Sequence, residues 1–76
     1  MRLVFDQGEI RAAITAKVSK LNDEVRPRPG HLPVREDVLG ENKRAIKRLE
    51  LISDHLPLEV EIDSNDTAQL KELGLL

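Results

Sequence analysis

The chain contains no cysteine, no tryptophan and no tyrosine, and Phe5 is its only aromatic residue. Without cysteine there is no disulfide to staple a small core and no thiolate for a metal site, and the redox compartment is unconstrained. Without tryptophan and tyrosine the usual anchors of protein-binding hot spots are missing, so the core must be built from Leu, Ile, Val and Ala. No apolar run is long enough to span a bilayer. The first residues, MRLVFDQGEI, turn acidic early and have no hydrophobic stretch of the signal-peptide kind. A soluble, cytoplasmic protein with no membrane partner is expected.

Catalytic constellations are equally scarce. The two histidines, His31 and His55, are far apart in sequence, and there is no His-x-x-x-His pair and no glycine-rich phosphate loop. His55 adjoins Asp54, but its place before Pro57 marks the end of a helix, where an imidazole meets the dipole. Glu59 and Glu61 alternate along a strand and read as a solvated face. The sequence therefore assigns no catalytic residue, no metal ligand and no cofactor, and an enzyme is not expected.

Charge is abundant. Charged residues make up 34% of the 76 positions, yet the net charge is only −2. Residues 26 to 48 carry seven Lys or Arg against three acids, whereas residues 50 to 76 carry seven acids against Lys71 alone. A bipolar molecule of this kind suits electrostatic complementarity to a partner or to a second copy of itself. At this length one domain is expected, with a core thin enough to be marginal alone.

The most ordered pattern lies in Val34 to Leu56. Val34, Val38, Ala45, Ile46, Leu49, Ile52 and Leu56, with Leu39 beside them, fall on one stripe of a 3.6-residue helix. Asn42 is the only polar residue on that stripe. Gly40 lies off it and offers one place where the segment could divide, into a turn over 34–39 and a helix over 41–55. Pro57 ends the helix and pushes Leu56 to extended geometry. A second helix follows Asp6, which with Glu9 forms a D-x-x-E capping box, while Phe5 and Ile10 are placed for a hydrophobic staple. Its face is Ile10, Ile14, Val18 and Leu21, and its period stops at Asn22.

Two short runs read as strands. RLVF at Arg2–Phe5 is β-prone, and Leu58–Ile62 alternates strictly, with Leu58, Val60 and Ile62 on one face. A last helix is capped by Asp66, carries Leu70 and Leu73, and stops at Gly74 in the C′ position, with Leu75 set to pack back on Leu70. The expected fold is α+β in the order β-α-α-β-α, two main helices over a short two-stranded sheet. An all-α helical hairpin with extended ends is the alternative.

Two stretches are candidate partner-binding sites. Lys43, Arg44, Lys47 and Arg48 gather on adjoining lines of the long helix, with Glu41 and Glu50 spaced to pair Arg44 and Lys47. The segment RPRPGHLP, residues 26–33, is proline-stiffened; with Arg26, Arg28, His31 and Arg35 it is either a connector or a preordered basic arm. The function expected is a small interaction or regulatory module that binds another protein, acting as a homodimer. A nucleic-acid-binding regulator using the basic helix face is the alternative, and a structural subunit of a larger assembly is the third reading. A pI near 5.6 and the missing aromatics weigh against nucleic acid. Chains of this size and composition suit accessory proteins of phages or mobile elements.

Overall fold

The structure, a computed structural model, describes residues 1–76. The elements are β1 (Arg2–Asp6), α1 (Gln7–Glu24), α2 (Glu36–Asp54), β2 (Glu59–Asp63) and α3 (Thr67–Glu72). This is the expected β-α-α-β-α order. β1 pairs antiparallel with β2 from Arg2 opposite Asp63 to Asp6 opposite Glu59, so the all-α alternative does not describe the chain.

Asp6 closes the strand and opens the helix. Its backbone is extended and its carboxylate accepts the Glu9 N–H at 2.8 Å, which satisfies one of the amides a helix start leaves free. Ile10 and Ile14 then turn into the core. The helix runs to Glu24, past the end of its apolar period, until Pro27 forbids continuation. α2 is one unbroken helix. Gly40 costs it about 1 kcal/mol relative to alanine, but extending an existing helix is favourable and the stripe on either side holds it. It begins two residues later than the periodicity suggests, because Pro33 and the extended Arg35 precede it, and it ends at Asp54 with His55 as its cap.

α1 and α2 lie antiparallel, and side chains reaching to backbone fix them at both ends. At one end Asn42 Nδ2 donates to the Leu21 carbonyl at 3.0 Å and to the Glu24 carboxylate at 3.2 Å. At the other, Gln7 Nε2 donates to the Leu56 carbonyl at 2.9 Å and Arg11 Nε to the Ser53 carbonyl at 3.4 Å. Asn42 is the only buried polar residue. Asn42→Ala removes the donor and leaves the Leu21 carbonyl without its buried partner, while the exposed Glu24 carboxylate turns to water. Urea unfolding should show a loss of about 1–3 kcal/mol. A change below about 0.5 kcal/mol would mean that water replaces the amide and the pair is not sealed there.

The core itself is thin. It consists of Ile10, Ile14, Leu21, Leu49, Ile62, Leu70 and Leu73, flanked by half-buried residues that include Leu3, Phe5, Val18, Ile46 and Val60. Leu58 departs from its expected place: β2 begins at Glu59, and Leu58 is 80% exposed. Its carbonyl still accepts the Gln7 N–H at 2.9 Å, but opposite it the chain has already turned into α1, so no strand side chain covers it.

α3 is built as its residues indicate. Asp66 accepts the Gln69 N–H at 3.2 Å. At the other end Leu75 N–H donates to Leu70 O at 2.8 Å and Gly74 N–H to Lys71 O at 3.1 Å, the paired bonds of a Schellman motif, with Gly74 at φ 77°. The molecule is elongated, 45 × 24 × 17 Å, with a radius of gyration of 14.3 Å. A compact chain of this length would have about 11 Å.

Candidate functional site

The basic residues picked out from the sequence all lie on the surface, but they do not form one patch. The arm joins the α1 C-terminus to the α2 N-terminus, whereas Lys43 to Arg48 lie mid-helix. At 1.5 Å per residue, Arg35 and Arg48 are separated by about 20 Å along α2.

Three of the seven cations already face carboxylates. Arg48 Nε lies 2.6 Å from Glu72 Oε1 of α3, Arg26 lies 2.9 Å from Asp23, and Arg35 lies 2.9 Å from Asp37. The Arg48–Glu72 pair reaches between elements distant in sequence. It is not aligned as a hydrogen bond, so the buried Glu72 oxygen has a charge opposite it and no donor in line. The helix pairs expected from spacing, Glu41 with Arg44 and Lys47 with Glu50, do not form. That leaves Lys43, Arg44 and Lys47 as the free cations of α2, with Arg28 on the arm. Arg44 and Arg48 flank a cleft floored by Leu21, Ala45 and Leu49.

The arm is an irregular segment turned by Gly30 at φ 78°. His31 N–H donates to Arg28 O at 3.2 Å, closing that turn. Around it Val25, Pro27, Leu32, Val34 and Leu39 form a shallow apolar hollow, but Leu32 itself is almost wholly exposed.

A third surface is absent from the sequence reading. The C-terminal end of α2, the start of β2 and α3 enclose an open apolar groove of about 620 Å³, lined by Leu51, Ile52, Leu56, Pro57, Val60 and Leu73 among others. Leu51 lies off the apolar stripe of α2 and is 62% exposed, which is the one signal that could have drawn attention to it. His55 stands at the rim with Nδ1 3.0 Å from the Leu51 carbonyl, in the helix-terminal role expected of it.

No protein-family model, curated protein or solved structure matches the chain. The site has to be read from its chemistry alone. Nowhere do three or more His, Asp or Glu side chains gather closely enough to hold a metal ion, and no helix is long and apolar enough to cross a membrane. What the surface offers is apolar area at one end of the helix pair, dispersed positive charge along α2, and a sheet whose outer face is acidic.

Proposed function

We propose that the chain is a small non-enzymatic protein-binding module that acts as a homodimer and regulates its target by occupying it. One observation carries the homodimer. The accessible surface is 5796 Å², about 1,100 Å² more than a compact monomer of this mass exposes. A stable interface buries roughly 800 Å² on each partner, so the excess is of the size that one partner covers. Part of it is apolar: Val4, Leu32, Leu51, Leu58 and Leu76 are all exposed. With so small a core, burying even part of that surface adds stability that the monomer lacks.

Sedimentation at micromolar concentration is expected to show a dimer, and a sharp monomer with a cooperative melt would overturn the homodimer. The nucleic-acid reading is separated by salt and charge reversal. Phosphate contacts make affinity fall steeply with salt, whereas an aliphatic interface changes little. Lys43→Glu with Lys47→Glu is expected to leave the melt within about 0.5 kcal/mol of the parent, since both side chains stand free in solvent. If duplex DNA binds the parent with steep salt dependence and this variant not at all, the function is nucleic-acid binding.

A further inference from the structure

The two-stranded sheet has two free edges, and they differ in what they can pair with. Ser64 N–H donates to Met1 O at 2.8 Å and Gln7 N–H to Leu58 O at 2.9 Å. In an antiparallel ladder hydrogen-bonded pairs alternate with non-bonded ones. Leu3–Ile62 and Phe5–Val60 are therefore the bonded pairs in between. On β1 the backbone groups of Arg2 and Val4 and the N–H of Asp6 point away from the ladder unpaired, as do those of Glu59 and Glu61 and the N–H of Asp63 on β2. The Asp6 carbonyl opens α1 and the Asp63 carbonyl accepts the Asp66 N–H. The side chains of these same six residues are exposed on the outer face of the sheet.

An edge strand with unpaired amides is a template for another strand unless something blocks it. β2 blocks itself. An antiparallel copy centred on Glu61 sets Glu61 against Glu61 and Glu59 against Asp63 twice, so every outer-face contact is a repulsion. β1 has the opposite character. An antiparallel copy centred on Val4 sets Arg2 against Asp6 at both ends and Val4, 54% exposed, against Val4 in the middle. On the inner face the same register sets Leu3 against Phe5, both only half-buried in the monomer.

We propose that β1 is the seam of the homodimer, its free edge pairing antiparallel with β1 of a second copy about a two-fold axis at Val4. This rests on the homodimer reading above and says where the copies meet. The result is a four-stranded sheet in the order β2-β1-β1-β2, with the helices of both copies on one face. Two strands alone are marginal in water, and four with an apolar face are not. The contact uses the same surface on each copy, so it closes after two. Its new outer edges are the two β2 strands, whose acids discourage further addition.

The absence of cysteine makes a direct test available. Val4→Cys gives one thiol per chain, and Cα atoms in a bonded antiparallel pair lie about 5.5 Å apart, within the range of a disulfide. Mild oxidation of V4C is expected to give a covalent dimer, and of L51C in the apolar groove to give none. Arg2→Asp places acid against acid at both ends and is expected to weaken association about tenfold or more in sedimentation. The double swap R2D with D6R restores opposite charges in the same register and is expected to recover it. Since Asp6 also caps α1, D6N, which keeps an acceptor there, is followed by circular dichroism and is expected to remain folded while associating less tightly than the parent. A dimer that cross-links through L51C and not V4C, or that ignores R2D, overturns the β1 seam and leaves the homodimer standing. A monomer throughout overturns both.

Discussion

Leu49→Ala is expected to cost about 2–5 kcal/mol in urea unfolding. Leu49 is 1% exposed and lies in the middle of α2, where it is the only fully buried apolar side chain of that helix. The void cannot collapse easily, because polar contacts fix the helix pair at both ends: Asn42 to Leu21 and Glu24, and Gln7 to Leu56. A domain of this length has a total stability of roughly 4–11 kcal/mol. One deletion at this position thus removes a large share, and the urea midpoint should fall well below that of the parent. Leu51→Ala, two residues along the same helix, is the control: its side chain already faces solvent, and the loss should stay below about 0.5 kcal/mol. Equal losses at the two positions would mean that α2 does not bury the face containing Leu49.

The difference between those two leucines also shows what the sequence could convey. Leu49 belongs to the period that places Ile46 and Ile52 around it, so local spacing alone orients it inward. The caps at Asp6 and Asp66 and the turn at Gly74 are equally local, since each depends on residues three to five apart. Asn42 stood out as a polar residue on an apolar stripe, but its partners, the Leu21 carbonyl and Glu24, lie about twenty residues away and no local pattern names them. The basic cluster was legible only in part, for the same reason. Spacing joined Lys43, Arg44, Lys47 and Arg48, and the fold then committed Arg48 to Glu72 of α3. The groove needs three elements to converge on Leu51, Val60 and Leu73, so it exists only once the chain is packed. Leu58 misleads in the other direction, because perfect alternation carries no information about where the covering helices end.

Gly74→Ala is the second substitution expected to cost a large amount, about 2–5 kcal/mol, and Gly30→Ala separates its two causes. Both glycines sit at nearly the same left-handed backbone angle, φ 77° and 78°. A Cβ in that conformation costs about 1–2 kcal/mol whatever surrounds it. At Gly30 nothing lies within 4 Å of the added atom, so the arm variant should show that backbone strain alone. At Gly74 the added Cβ would stand 3.0 Å from the Ala13 carbonyl oxygen and 3.2 Å from Lys17 Cβ, both on α1. The backbone carbonyl cannot move aside without bending the helix, and overpacking of this kind adds about 1–3 kcal/mol. Because Leu73 is in the core and also lines the groove, displacing the end of α3 should loosen the groove wall as well. Thermal and urea melts of the two variants measure the difference. If Gly30→Ala and Gly74→Ala lose the same amount, the end of α3 does not press on α1, and the Schellman turn alone explains why glycine stands there.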